Sequence, residues 1–439
     1  MASDSLFPTR QPSGDGILPS QEIFDFISTG KIISTAEISD DQVQPSSIDL
    51  RLSSQAYRVS ASFLPGKSTT LFQKATSNGM LNSIIDISGP TLLEPGVIYI
   101  IPLMESLDLP SDIYGIANPK STTGRLDIFT RLITEPGDEF ERVQKGYSGK
   151  LFIEVISQTF PIFVQAGMKL NQLRFARGKV GVAGDSKLKR LDRTDPLIQI
   201  DEEDSEQANI NRGLRITVDL QGNGSGIVAY RAKKYSPPVD LSKINYYDIA
   251  DFWTPIMRND KLQFILEPGE FYILVSKQRV RVPPDFAAEM LPYDLATQEF
   301  RVHYAGFFDP GFGFGVKGEI PGTRAVLEVR ASQMPILLED DQFVGRLNYY
   351  SMSATPKKVY GGSIGSSYQQ QGLALSKQFK REPQYASGLS PSAVSAGMKT
   401  REGSGTQTLE NDDDDDGSNS RFAFPDGTSG ERRVDAKNR

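Results

Sequence analysis

Apolar residues along most of this chain fall in short runs rather than at helical spacing. "VIYIIPL" (97–103), "KLFIEVISQTFPIFV" (150–164), "FYILVS" (271–276) and "RAVLEVRASQMPILL" (324–338) are rich in β-branched and aromatic residues and are broken by Pro and Gly. Such runs read as β-strands, and they dominate from about residue 43 to 350. Near the start, "SQEIFDFISTG" (20–30) instead has a Ser N-cap candidate, helical apolar spacing and a closing Gly. The pattern predicts a mostly-β fold with a short N-terminal helix.

The pattern also repeats. "LLEPGVIYII" (92–101) returns as "ILEPGEFYIL" (265–274), and "AYR" (56–58) returns at 229–231, both displaced by 173 residues. "FIEVISQTFPIFVQAGMKLNQLRF" (152–175) aligns without gaps on "VLEVRASQMPILLEDDQFVGRLNY" (326–349), displaced by 174. Glu154 thus matches Glu328, Pro161 matches Pro335 and Leu173 matches Leu347. Landmarks repeated in one order imply two homologous β-rich domains, expected at 17–180 and 213–380. A flexible N-terminus (1–16) precedes them. The stretch 181–212 is polar, charged and without period, and reads as a linker or surface loop. From 381 to 439 the composition turns to Ser, Gly, Asp and Asn, with the run Asp412–Asp416. That tail is expected to be disordered, because it has too little apolar surface to offset its ordering entropy.

Composition narrows the chemistry. The 439 residues include no cysteine and one histidine, His303. Thiolate nucleophiles, disulfides, Cys-ligated zinc and His-rich metal sites are excluded, so any chemistry runs on carboxylates, hydroxyls, cations and backbone. The formal net charge of −7 argues against a nucleic-acid partner. No apolar run approaches the ~18 residues of a membrane span, and the first residues lack a secretory or transit pattern. A soluble, cytoplasmic protein without a membrane partner is the default expectation.

Four stretches are candidates for a site. "NPKSTTGR" (118–125) places Lys120, Ser121, Thr122 and Arg125 in a turn after a strand-like run; it is either a solvated loop or a cradle for phosphate oxygens. Glu154 and Glu328 sit in the middle of apolar strands, on the faces of Phe152 and Ile156, and of Val326 and Arg330, respectively. A carboxylate there either faces solvent from an edge strand, is ion-paired with Arg330 or Lys169, or is held at a raised pKa for acid–base work. "RVHYAGFFDPGFGFG" (301–315) is a Gly-rich hairpin that either packs on aromatic core or presents main chain to a planar ligand. "SSYQQQGLALSK" (366–377) is either a frayed end or a lid carrying hydrogen-bond donors.

Together with "QPSSIDLRL" (44–52), these motifs resemble, in order, those of the dCTP deaminases, members of the trimeric dUTPase-like superfamily. The chain is similar to a long form in which two such domains are duplicated. The resemblance implies two tandem distorted β-barrel or jelly-roll domains and hydrolysis of dCTP to dUTP and ammonia. It also implies Mg²⁺ carried by the triphosphate with no protein-bound zinc, and a homo-oligomer, by preference a trimer, with sites at domain interfaces. By motif, Glu328, and by repeat Glu154, would take a proton from the water attacking C4 and return it to the leaving ammonia. Ser121, Thr122, Lys120 and Arg125 would meet the phosphates. Ala305 and Gly306 would read the pyrimidine edge, with His303 and Asp309 also in the binding set, and Tyr368, Gln371 and Lys377 would close over the triphosphate.

The two repeats depart from that pattern in complementary ways. The first has "TRLITEPGDEF" in place of the Gly-rich loop, and the second has "LPYDLATQEFR" in place of the phosphate cluster. One composite site is therefore expected, with the cluster of the first domain facing Glu328 and the loop of the second, and Glu154 left as a remnant or structural residue. Lys120 stands where the family usually has Arg, keeping the charge but not the fork. Within the same fold, a dUTP pyrophosphatase or a bifunctional enzyme is the alternative; outside it, a non-catalytic nucleotide-binding regulator.

Overall fold

A computed structural model describes residues 14–199, 207–222, 224–292, 300–303, 306–331, 334–361 and 371–381. The Asp run and nearly all of the expected tail lie outside these residues, as do Ala305 and Tyr368. Both repeats belong to one compact unit.

Each repeat is built on two main β-sheets, with a small further one that pairs Thr91–Leu93 with Ile162–Val164 in the first and Gln263–Leu266 with Ile336–Glu339 in the second. In the first, a five-stranded sheet runs Gly16–Ile17, Lys169–Arg177, Ile113–Pro119, Arg142–Val143, with Ile48–Arg51 also on Lys169–Arg177. A six-stranded sheet runs Leu81–Asp86, Gln55–Val59, Ile98–Asp108, Ser148–Ser157, Ile128–Thr134, with Ile32–Ser34 on Ile98–Asp108. The second repeats this plan. Its six-stranded sheet runs Trp253–Met257, Ile227–Ala232, Phe271–Val280, Thr323–Ala331, Phe300–His303, with Ile198–Gln199 on Phe271–Val280, and its four-stranded sheet centres on Phe343–Ser351 and Phe286–Pro292.

The duplication read in the sequence is visible residue by residue. Glu154 has Ile100 as its cross-strand partner and Glu328 has Ile273; Leu173 pairs with Ile48 and Leu347 with Leu214. In the two "LEPG" turns Gly96 and Gly269 adopt φ of 74° and 71°, a region that glycine enters without a Cβ clash. In both, a Tyr hydroxyl closes the turn, Tyr99 accepting from Glu94 N–H and Tyr272 from Glu267 N–H.

Two expectations need correcting. The stretch 181–212 is not a plain loop: it carries a helix, Asp185–Thr194, with Leu188 fully buried, and a short strand, Ile198–Gln199, paired with Phe271–Val280. Its one apolar ridge gave too little periodicity to read against so many charges. Nor is the helix Ser20–Ser28 alone, since Leu71–Ser77 is helical too, begun by a capping box in which Thr70 and Gln73 satisfy each other's backbone N–H groups.

The repeats are bound by shared structure. Val239–Asp240 of the second adds a parallel strand to Ile162–Val164 of the first. Phe160 of the first packs 5.5 Å from Trp253 and 6.0 Å from Phe252 of the second. One continuous core holds Leu132, Ile153 and Leu173 together with Trp253, Phe271 and Phe379. No helix among the described residues is long and apolar enough to cross a membrane.

Candidate active site

The strand Ile113–Pro119 ends at its proline, and the next residues turn once as a short helix, Ser121–Gly124. The N–H groups of Thr123 and Gly124 both donate to Lys120 O. The turn is pinned to the neighbouring strand, because Lys120 N–H and the Thr123 hydroxyl both donate to Leu170 O, at 3.0 and 2.8 Å. Thr123 is thereby buried and occupied, whereas Ser121 and Thr122 are half-buried and line a cavity of about 810 Å³.

That cavity is composite. Its walls from the first repeat include Asp49, Lys120 to Thr123, Arg125 and Lys169; those from the second include Gly306 to Asp309, Glu328, Gln371 and Lys377. Glu328 meets the first repeat directly: a Cβ added to Gly124 would lie 2.6 Å from Glu328 Oε2. Two residues further along the same face, Arg330 is ion-paired with Asp127 and donates to the Thr159 hydroxyl, both of the first repeat. This contact fixes the strand Thr323–Ala331 against the exit of the cluster. Burial holds the Glu328 carboxyl well above the usual carboxylate range; Arg125 works against this rise and Asp127 adds to it.

The other end of the cavity is cationic. Lys120 pairs with buried Asp49, and Lys169 Nζ lies 2.8 Å from Asp41 Oδ2. Burial pulls the Lys377 ammonium below its ordinary pKa, and repulsion from Lys120 and Lys169 pulls it further. The Lys377 ammonium, facing two further cations, makes a place where an anion is stabilising. The segment around Lys377 closes this end. Arg125 Nη1 donates to Gln371 Oε1 and to Ala374 O, both at 2.9 Å, and the Ser376 hydroxyl donates to Thr122 O.

Of the residues that the sequence pattern places at a site, Lys120, Ser121, Thr122, Arg125, Gly306, Asp309, Glu328, Gln371 and Lys377 therefore line one cavity. His303 is the cross-strand neighbour of Glu328 by backbone register. Glu154 lies elsewhere. It is fully buried and bonded to Arg131, whose Nε and Nη2 both reach its Oε1 at 3.0 and 2.6 Å, so its partner is neither Arg330 nor Lys169. Arg131 is the cross-strand neighbour of Glu154, the position His303 holds beside Glu328. Its guanidinium is stacked 3.6 Å from the Phe140 ring and donates to Ser62.

The sequence pattern alone gives Asp49 and Lys169 no site role. The motif "QPSSIDLRL" contains a signal for the first; Lys169 is 49 residues beyond Lys120 and is brought to it only by pairing of the strands. Among the described residues no group of three or more His, Cys, Asp and Glu side chains is placed to hold a metal ion.

Residues 14–179 match the model of the 2'-deoxycytidine 5'-triphosphate deaminase N-terminal domain, and residues 184–379 match that of its C-terminal domain. A crystal structure of 2'-deoxycytidine 5'-triphosphate deaminase from Agrobacterium tumefaciens is 44% identical, covering 79% of this chain and 100% of that one, with a TM-score of 0.73. The chain belongs to the dCTP deaminase family. Curated relatives in the family are shorter matches. A "dCTP deaminase, dUMP-forming" of Corynebacterium kroppenstedtii is 35% identical over 120 residues, 26% of this chain and 60% of the relative. One of the same name from Halobacterium salinarum is 29% identical over 28% of this chain, again spanning 60% of its own length. A "dCTP deaminase" of Shewanella amazonensis is 27% identical over 36% of this chain and 80% of its own. The family's two-domain models and mostly-β architecture thus coincide with the duplicated sheets described above.

Proposed function

We propose that this chain hydrolyses dCTP to dUTP and ammonia at the composite cavity. The observation that carries the reading is the contact of Glu328, from one repeat, with Gly124 of the hydroxyl- and cation-rich turn of the other. The triphosphate, with its Mg²⁺, would lie against Lys120, Lys169 and Lys377, where an anion relieves the repulsion that Lys120 and Lys169 exert on half-buried Lys377. Ser121, Thr122 and Arg125 would add donors, and the Gly306–Asp309 segment would face the pyrimidine.

The raised pKa of Glu328 suits both directions of proton transfer. In its protonated form it gives a proton to the ring N3, which makes C4 electrophilic. The resulting carboxylate, beside Arg125, takes a proton from water as its oxygen bonds to C4. Glu328 then protonates the amino group, ammonia leaves, and the proton of the new C4 hydroxyl returns to the carboxylate as the carbonyl forms. Water is consumed, ammonia is released and Glu328 ends as it began.

Glu154 performs no such cycle in this reading. Arg131 holds it as an ion pair, so each chain has one active site. The likeness to a trimeric superfamily supports a homo-oligomer, which light scattering on the purified protein tests.

A second reading has a specific basis, since two of the relatives above are named dUMP-forming. One experiment separates the two. Incubation with dCTP and Mg²⁺, followed by an ammonia assay and anion-exchange separation, should give ammonia and dUTP; dUMP with pyrophosphate would establish the second reading. No ammonia at all would refute both.

A further inference from the structure

Arg174, from the strand Lys169–Arg177 of the first repeat, reaches under the hairpin that carries the Gly306–Asp309 segment of the second. It is 3% exposed. Its Nη1 donates to Ala288 O at 3.1 Å and its Nη2 to Phe308 O at 3.0 Å. Ala288 and Phe308 are cross-strand partners, in the pairing of Phe286–Pro292 with the two-residue strand Phe307–Phe308. One planar fork therefore ties both strands together at a single register step. Two-residue strands have little stability of their own, and a bidentate guanidinium supplies what the short ladder lacks.

The same guanidinium controls what faces the cavity. The Phe307 ring lies 3.9 Å from its Cζ, and Asp309 Oδ1 lies 3.6 Å from Nη2 while accepting from the Ser46 hydroxyl at 2.6 Å. Phe307, Phe308 and Asp309 all line the cavity. Ser46 and Arg174 both come from the first repeat, so the wall supplied by the second is set from across the domain boundary. At the matching position the second repeat has Asn348, which is too short and uncharged for this contact.

We propose that Arg174 is a positioning residue for base recognition, holding Phe307, Phe308 and Asp309 in place without touching the substrate. The inference rests on the reading that this cavity takes dCTP with its pyrimidine toward that wall. Removing the fork should then weaken the nucleoside-dependent part of binding and leave the phosphate end intact.

The test compares dCTP with inorganic tripolyphosphate, both with Mg²⁺, by calorimetric titration of the full chain. Arg174→Lys keeps the charge and loses the fork; Ser46→Ala frees Asp309 without leaving a buried charge unpaired. The preference for dCTP over tripolyphosphate should fall at least tenfold in Arg174→Lys and severalfold in Ser46→Ala, with tripolyphosphate affinity changed less than twofold. An unchanged preference, or equal weakening of both ligands, would overturn the inference, the latter because general loosening explains it. If Arg174→Lys does not fold, Ser46→Ala decides by the same criteria. Wild-type ammonia release separates the layers: a silent wild type overturns the functional reading and this inference with it. An active wild type with an unchanged preference in the variants overturns the inference alone.

Discussion

The Cα of Gly124 faces the carboxylate of Glu328 so closely that a methyl group there would lie 2.6 Å from Oε2 and 2.9 Å from Oε1. The glycine belongs to the phosphate-type turn of one repeat and the carboxylate to a strand of the other. Nothing in the backbone of Gly124 forbids alanine, since its φ is not in the left-handed region. Gly124→Ala should therefore act through Glu328. A displacement of about 1 Å at a reacting group lowers rates by about 10²-fold, and overpacking costs about 1–3 kcal/mol. Ammonia release from dCTP should fall by about that factor while the variant still melts cooperatively. A rate within threefold of wild type would mean that Glu328 is not the acid–base group.

Glu328→Gln should lower ammonia release by about 10³-fold, within the range of general acid–base catalysis. Stability should move the other way. Burial raises the folded-state pKa of Glu328 above that of the unfolded chain, so as pH rises the unfolded state loses this proton first. Wild-type stability therefore declines between the ordinary glutamate pKa, about 4.3, and the raised folded value. The glutamine variant lacks that decline, and its melting temperature should equal or exceed wild type at pH 8. Thermal melts from pH 5 to 8 give the comparison.

Glu154→Gln should have the opposite profile. The ion pair with Arg131 is buried on the Glu154 side, so its loss should destabilise the protein by about 1–3 kcal/mol. Activity should stay within threefold of wild type, because Glu154 does not line the cavity. Parallel melts and ammonia assays of both glutamine variants distinguish one active site per chain from two.

Glu141 gives a pH effect independent of catalysis. Burial pushes its carboxyl up to about 8, against hydrogen bonds from Leu132 N–H and Asn171. Its folded-state pKa is raised, so its contribution is complete below about 4.3, the unfolded value, and is lost as pH rises toward 8, by at most about 1.4 kcal/mol per pH unit. Glu141→Gln should flatten the decline of melting temperature across that window. An unchanged slope would show that the carboxylate ionises freely in the folded protein.

The sequence made the duplication legible because each repeat kept its turn chemistry and its strand alternation, as the matched Gly96 and Gly269 show. The composite cavity was legible because the cluster and the Gly-rich loop survive in different repeats. The partner of Glu154 was not. Both glutamates have the same local pattern, and only cross-strand registry reveals that Arg131 stands beside one and His303 beside the other. Arg174 left no local signal either, since its partners lie 114 and 134 residues away. Long-range pairing of this kind is what a local pattern does not encode.

The closing segment is anchored by a residue that does not line the cavity. Phe379 is 2% exposed and packs its ring 5.4 Å from Phe252 and 5.8 Å from Trp253. Around it the backbone is tied to the second repeat, with Asn245 N–H donating to Lys377 O and Lys380 N–H donating to Tyr247 O, both at 2.8 Å. Lys377 is two residues from this anchor, and Gln371 and Ala374 are held by Arg125. Phe379→Leu keeps an apolar side chain but removes the ring contacts, which are worth about 0.5–1.5 kcal/mol per aromatic pair. The segment should then dock less often in its closed position, raising the KM for dCTP about tenfold with little change in kcat, because Glu328 and Gly124 are untouched. Steady-state kinetics alongside a melting curve check this: a stability loss without a change in KM would show that the anchor serves the fold alone.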